Sequence, residues 1–287
     1  IDYLYRDFTQ IIPGNVWRTI GGNRYYYQNH VMQKSTWIND GQNWYYMNSA
    51  GNPSIGWLDM NGFRYYLDSD GKMVTGWKEL DGSWRYFDPT GEMATGWRAV
   101  GGIWYYMNES GQMQTGWLDA GGKKYYLAGD GAMQTGFQDL GGSRYYFDAS
   151  GAMATGWQAI NGVWYYMNES GQMQTGWLEA GGKKYYLASD GVMQTGLQDL
   201  SGSKYYFDAS GAMTTGWQAI NGAWCYMNES GQMQTGWQAV NGVWYYMNEN
   251  GQMQTGWQNI GGNWYYLGSD GAMQTGLREI NGVNYYL

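Results

Sequence analysis

Apolar and polar positions along this chain follow a twenty-residue beat. Reading every twentieth residue from Trp17 gives Trp37, Trp57, Trp77, Trp97, Trp117, Phe137, Trp157, Trp177, Leu197, Trp217, Trp237, Trp257 and Leu277. A second aromatic row, Tyr26, Tyr46, Tyr66 and onward to Tyr286, is never broken. These are fourteen units without an insertion or deletion, and a fixed period of this length marks a repeat architecture. The reading divides the chain into a degenerate capping segment, residues 1–15, and a repeat array, residues 16–287, whose last unit is truncated.

Each unit reads as a β-hairpin. In Trp157–Ile160 and Val163–Asn168, two short runs of aromatic and β-branched residues flank Asn161-Gly162, the pair that most favours a two-residue type I′ turn. That turn sets the register: Ile160 faces Val163, Ala159 faces Trp164 and Trp157 faces Tyr166. Side chains alternate across a strand, so Trp157, Ala159, Trp164 and Tyr166 share one face while Ile160, Tyr165 and Met167 share the other. A second turn, such as Asn168-Glu-Ser-Gly171, starts on an Asx side chain and ends on glycine, linking one hairpin to the next. A lone two-stranded hairpin is marginal in water, so the units must bury their apolar faces on one another. The expected fold is all-β, a β-solenoid of stacked β-hairpins of about 20 residues each, with the Met113, Met133, Met153 row in its core. Residues 97–156 and 157–216 also match at 49 of 60 positions. The duplicated piece is therefore three hairpins, which we read as one superhelical turn.

The unit GWQAINGVWYYMNESGQMQTGW, from Gly156, resembles the choline-binding (cell-wall-binding) repeats of pneumococcal-type surface proteins and phage lysins. The resemblance runs from Trp17 to Leu287; glucan-binding and clostridial toxin repeats share its YY…G…TG skeleton. It implies a left-handed superhelix with each ligand held between neighbouring hairpins by two Trp of one repeat and a Tyr of the next, often with a Met nearby. Carried over, the pattern asks for a first-row Trp, a Trp seven residues on and a Tyr 29 residues on. Seven repeats comply: Trp37, Trp44 and Tyr66; Trp77, Trp84 and Tyr106; Trp97, Trp104 and Tyr126; Trp157, Trp164 and Tyr186; Trp217, Trp224 and Tyr246; Trp237, Trp244 and Tyr266; Trp257, Trp264 and Tyr286. A quaternary ammonium has no N–H to donate, so aromatic faces are what can hold it. The implied partner is choline or phosphocholine on teichoic or lipoteichoic acid. The implied location is outside the cell, at the wall or surface of a Gram-positive bacterium or in a secreted phage-type protein. The alternative is a carbohydrate-binding array for α-glucan or host glycans, with the same rings stacking on sugars.

The other repeats depart from that pattern in an ordered way. Arg64, Lys124, Arg144, Lys184 and Lys204 replace the second Trp, and the residue across the hairpin is then Asp59, Asp119, Asp139, Glu179 or Asp199. Where Trp stands, the facing residue is usually small or neutral, as Ala159 is; Glu79 opposite Trp84 is the exception. These repeats are expected to close by a cross-strand ion pair and to repel a cation. A second row that accepts Trp, Lys, Arg and Asn must be partly exposed. The first row is equally readable as core.

Composition narrows the chemistry. The 287 residues include 29 Tyr, 18 Trp, 18 Met and 47 Gly against 1 Cys and 1 His, and the net charge of −8 repels nucleic acid and anionic lipid. No apolar run approaches the length of a membrane span, and the single Cys225 forms no internal disulfide. His30 and Cys225 do not recur with the repeat, so no nucleophile, base or metal cluster assembles. Nearly every acid is accounted for by a turn or a cross-strand pair, leaving Asp2, Asp7 and Glu92. No enzyme activity, cofactor or metal is expected. The Asn108, Asn168 and Asn228 sequons are explained by their turns. The chain begins at Ile1 with no signal peptide, and a piece of a longer processed protein is expected.

Overall fold

A computed structural model describes residues 14–287, so all but Gly14 and Asn15 of the expected capping segment lies outside it. Every described strand belongs to an antiparallel sheet of one hairpin, and no helix occurs among the described residues. The first hairpin, β1 (Asn15–Ile20) and β2 (Asn23–Gln28), carries a short third strand, β3 (Val31–Met32); the others are two-stranded. The all-β hairpin-repeat fold is as the sequence predicts. The chain forms two compact units, one running through Gly136 together with Phe147–Met153, the other Phe137–Tyr146 with Ala154–Leu287.

The turn chemistry fixes the register as read. Asn161 and Gly162 have φ of 52° and 80°, the pair of positive values a type I′ turn requires. Trp157 then pairs with Tyr166, Ala159 with Trp164 and Ile160 with Val163. In the linking turn, Asn168 Oδ1 accepts from the backbone N–H of Ser170 (3.0 Å) and Gln172 (2.9 Å). Its amide nitrogen donates to Gln172 Oε1. The sequon asparagine is thus engaged at both ends of its side chain by the turn.

Within each unit a link segment stitches each hairpin to the one before. Met73 N–H donates to Trp44 C=O (2.8 Å) and Met193 N–H to Trp164 C=O (2.9 Å), and the same bond recurs along the array. This satisfies strand edges that would otherwise be open to pairing with other chains. The linking turns leave no room for larger residues. A Cβ on Gly131, whose φ is +84°, would run into the Met113 side chain.

The buried core is a different row from the one expected. Met113 and its equivalents are only half-buried, because they sit in the link segment and not in a strand. The fully buried row is the end of each second strand: Met47, Leu67, Phe87, Met107, Leu127, Phe147, Met167, Leu187, Phe207 and Met227, all at 0–1% exposure. From Met47 to Met227 this row cycles Met, Leu, Phe with the sixty-residue period; Met247 and Leu267, also fully buried, continue the row out of that cycle. Other contacts share that period. Phe87 packs against Trp57 (6.1 Å), Phe147 against Trp117 and Phe207 against Trp177 (both 5.8 Å). Gln112 donates to Ser83 Oγ, Gln172 to Ser143 Oγ and Gln232 to Ser203 Oγ. The three-hairpin piece is therefore a packing unit with its own core composition.

Candidate functional site

The aromatic box is built from both faces of successive hairpins. Trp157 and Trp164 lie on one face of their hairpin, ring centroids 6.4 Å apart and nearly perpendicular at 82°; the Trp237–Trp244 and Trp257–Trp264 pairs repeat this at 84° and 80°. The next hairpin closes a third side. Its tyrosine comes from the opposite face, so the ring against Trp157 is Tyr185 (4.7 Å). The same holds for Trp37 with Tyr65 (5.2 Å), and for Trp77 with Tyr105, Trp97 with Tyr125, Trp217 with Tyr245 and Trp237 with Tyr265 (each 4.8 Å). Trp257 meets Tyr285 at 4.9 Å.

This corrects the sequence reading by one residue. The tyrosines expected 29 residues on, Tyr66, Tyr106, Tyr126, Tyr186, Tyr246 and Tyr266, instead pack on the Trp of their own hairpin at 5.1–5.3 Å. Tyr286 pairs in register with Leu277 and is 86% exposed. The physical reason is alternation. Tyr66 shares a face with Trp57, while Tyr65 points the other way, back toward Trp37. Of the seven expected Trp pairs, Trp157–Trp164, Trp237–Trp244 and Trp257–Trp264 are in ring contact, and Trp37 with Trp44 and Trp217 with Trp224 line a common groove.

Grooves form where these groups meet. One of about 380 Å³ is lined by Trp37, Trp44, Tyr65, Met73, Pro89 and Thr90. Another of about 390 Å³ is lined by the residues 180 positions on, Trp217, Trp224, Tyr245, Met253, Ser269 and Asp270. The half-buried Met row thus contributes a groove wall. The outer Trp of each pair is 45–64% exposed, far more than packing alone would leave.

Among repeats lacking the second Trp, those with Arg and those with Lys in its place differ, and the repeat of Leu277 has Asn284 there. Where Arg replaces it, a guanidinium lies over the first ring. Arg24 Cζ is 4.2 Å from the Trp17 centroid and 5.8 Å from Tyr45, inside a box whose Trp17 indole N–H donates to Asp40 (3.1 Å). Burial pushes the Asp40 carboxyl up, but backbone donors from Asn43 and Gln42 and the Trp17 indole hold it below its usual range. Arg144 Cζ lies 4.9 Å from Phe137. Trp57 takes both Arg64 (5.1 Å) and the buried Arg85 (5.3 Å), and Arg85 stands where a cage tyrosine would be. These boxes already contain a cation of their own chain.

Where Lys replaces the second Trp, Trp117 and Trp177 are each 48% exposed. The expected cross-strand ion pairs form in part: Asp59–Arg64 (2.7 Å), Asp119–Lys124 (3.6 Å) and Asp139–Arg144 (3.5 Å). All three are exposed. Glu179–Lys184 and Asp199–Lys204 are register partners without an ion pair, and Asp199 instead accepts from Gly202 N–H (3.0 Å). Cys225 is buried where another cage tyrosine would stand, beside a repeat that has Leu197 for its first ring. Glu92, unexplained by the sequence, lies 3.5 Å from the Tyr65 hydroxyl. No group of three metal-ligating side chains occurs among the described residues.

Comparisons with known proteins agree with this fold. No curated protein sequence matches the chain. Among solved structures, CbpJ from Streptococcus pneumoniae TIGR4 is similar with a TM-score of 0.68 and 31% identity, over 81% of this chain and 98% of that one. Choline binding protein F from Streptococcus pneumoniae follows with 0.57 and 28%, over 92% and 100%. The modular autolysin LytC of the same organism gives 0.54 and 28%, over 84% of this chain and 52% of that one. A family model described as a putative cell wall binding repeat matches residues 35–52. The model described as a choline-binding repeat matches in overlapping stretches from 54–95 to 254–287, and the chain therefore belongs to the choline-binding repeat family.

Proposed function

We propose that this chain attaches a surface or secreted bacterial protein to the wall by holding the choline groups of teichoic or lipoteichoic acids in seven aromatic cages. The observation that carries the reading is a first-row Trp closed by a tyrosine of the next hairpin, repeated at Trp37, Trp77, Trp97, Trp157, Trp217, Trp237 and Trp257, with a perpendicular second Trp packed on it at Trp157, Trp237 and Trp257. Each ring face contributes about 0.5–2 kcal/mol toward a quaternary ammonium. Three faces give roughly 4 kcal/mol, or about millimolar affinity. Such a site is weak alone, but several engaging one polymer gain about 10²- to 10⁴-fold by avidity. The net charge of −8 favours a cation. Choline binding protein F, a similar structure, has been solved in the presence of a peptidoglycan analogue, which supports a wall setting.

Equilibrium titration is expected to count about seven choline molecules per chain, because boxes already holding Arg24, Arg64 or Arg144 have no room for another cation. Choline at a hundred times its Kd should stabilise each occupied site by about 2.7 kcal/mol, read as a rise in Tm. Absence of any thermal shift at that concentration would sink the reading.

The one-residue correction is separately testable. Tyr245→Leu should remove one choline and leave the Tm of the free chain nearly unchanged, since Tyr245 walls a groove. Tyr246→Leu removes the ring paired with Trp237 in its own hairpin. It should lower the free-chain Tm instead, with the Trp217 cage still titrating. The opposite pattern in calorimetry and titration would restore the 29-residue spacing.

A further inference from the structure

We propose that the groove at Trp177 is a second kind of binding site, one that takes a neutral pyranose ring of a polysaccharide and not choline. Trp177 lies in the strand Gly176–Ala180 and is fixed from below and beside by Tyr205 (4.9 Å, 72°) and Phe207 (5.8 Å, 41°). Nearly half of it, 48%, stays exposed. The groove above it measures about 350 Å³ and is lined by Trp177, Glu179, Lys184, Tyr205, Met213 and Ser230. That volume falls in the range of small-molecule sites, about 300–1,000 Å³.

Two features separate this groove from its relatives in the chain. No cation lies over Trp177 among the described residues, whereas Trp17 and Trp57 are covered by arginines. Glu179 and Lys184 face each other in register yet form no ion pair among the described residues, whereas Asp119 and Lys124 approach to 3.6 Å. An indole face, a carboxylate, an ammonium and a serine thus line one groove, and the two charged groups keep their hydrogen-bonding atoms for a ligand.

Charge chooses among ligand classes. The Lys184 ammonium repels a quaternary ammonium. Glu179 repels a free phosphate, which would in any case have no use for an indole face. A pyranose ring meets every requirement at once: its C–H face stacks on the indole, and its hydroxyls both donate to a carboxylate and accept from an ammonium. An open groove suits one residue of a longer chain passing through it.

The test is saturation-transfer NMR on the full chain with choline present to fill the cages, using isomaltotriose and chitotriose as probes and inorganic phosphate as competitor. Saturable transfer to the C–H protons of at least one oligosaccharide is expected. Trp177→Leu should weaken it at least tenfold, and the fold should tolerate that change because Leu197 occupies the same row. The exposed Glu179→Gln, which leaves the platform intact, should weaken it about threefold or more. No transfer from either probe while choline fills the cages, transfer unchanged in both variants, or displacement by phosphate would overturn the proposal.

Discussion

Phe207→Ala is expected to destabilise the protein by about 3–5 kcal/mol. Phe207 is fully buried, ends the second strand of its hairpin and packs beneath Trp177 at 5.8 Å. Truncation would leave a cavity that the hydrogen-bonded links on either side cannot collapse to fill. Stability in stacked repeats is close to a sum of intrinsic and nearest-neighbour terms, so the loss should concentrate in the hairpins of Trp177, Leu197 and Trp217. Hydrogen exchange should show their amides losing protection while those around Trp37 keep theirs. Phe207→Leu is the control. Leucine already fills the same row at Leu67, Leu127 and Leu187, so it should cost less than about 1.5 kcal/mol. A loss below 1 kcal/mol for the alanine variant in urea unfolding would show that this row is not the core.

Local chemistry was legible in the sequence, and long-range packing was less so. Asn161-Gly162 alone sets the register of its hairpin, since a type I′ turn admits one pairing, and Trp157 facing Tyr166 followed from it. The choice of tyrosine needed one further step. Alternation already put Tyr165 on the face opposite Trp157 and Trp164. Hairpins that stack front to back bring that opposite face of the next unit, Tyr185, onto the Trp pair. The sequence held a signal for this. The position 28 residues after the first ring is Arg85 after Trp57 and Cys225 after Leu197, both in repeats without a cage, but it is Tyr in all seven cage repeats. The row departs from Tyr only in repeats without a cage, although Tyr45, Tyr145, Tyr165 and Tyr205 keep it in four others. The unbroken Tyr66 row varies with nothing, as a structural row should.

The core row escaped for a related reason. Met113 and Met167 are both methionines at fixed places in the repeat, and residue type alone cannot separate them. What distinguishes them is position: Met167 ends a strand, while Met113 sits in a link segment whose backbone bonds to the preceding hairpin. The Met–Leu–Phe cycle of the strand-end row was the available sign, since a position that changes size with the sixty-residue period must be fitted to a period of packing. Arginine over Trp17 was not legible at all. Sequence placed Arg24 opposite Thr19, with no acid to pair, and only the geometry shows the ring beneath it.

Converting the Trp177 repeat into a cage tests the second Trp as the switch of ligand class. Trp177, Tyr205 and Met213 already stand where Trp157, Tyr185 and Met193 stand one repeat earlier. Lys184→Trp with Glu179→Ala should therefore raise the choline count from about seven to about eight. The magnitude has two sources. A third ring face adds about 0.5–2 kcal/mol, and loss of an ammonium removes a repulsion of about 1 kcal/mol for unit charges about 4 Å apart in water. Together they predict roughly 10- to 150-fold tighter choline binding at this groove, enough to bring it to the affinity of its neighbours. Lys184→Trp alone should do nearly as well, because Glu79 already faces Trp84 in an existing Trp pair. Both variants should fold, since Trp164 fills the same slot one repeat earlier, 45% exposed. If either variant keeps the parent's Tm without ligand and still titrates only the parent's number of choline molecules, the second Trp does not set which ligand a repeat accepts.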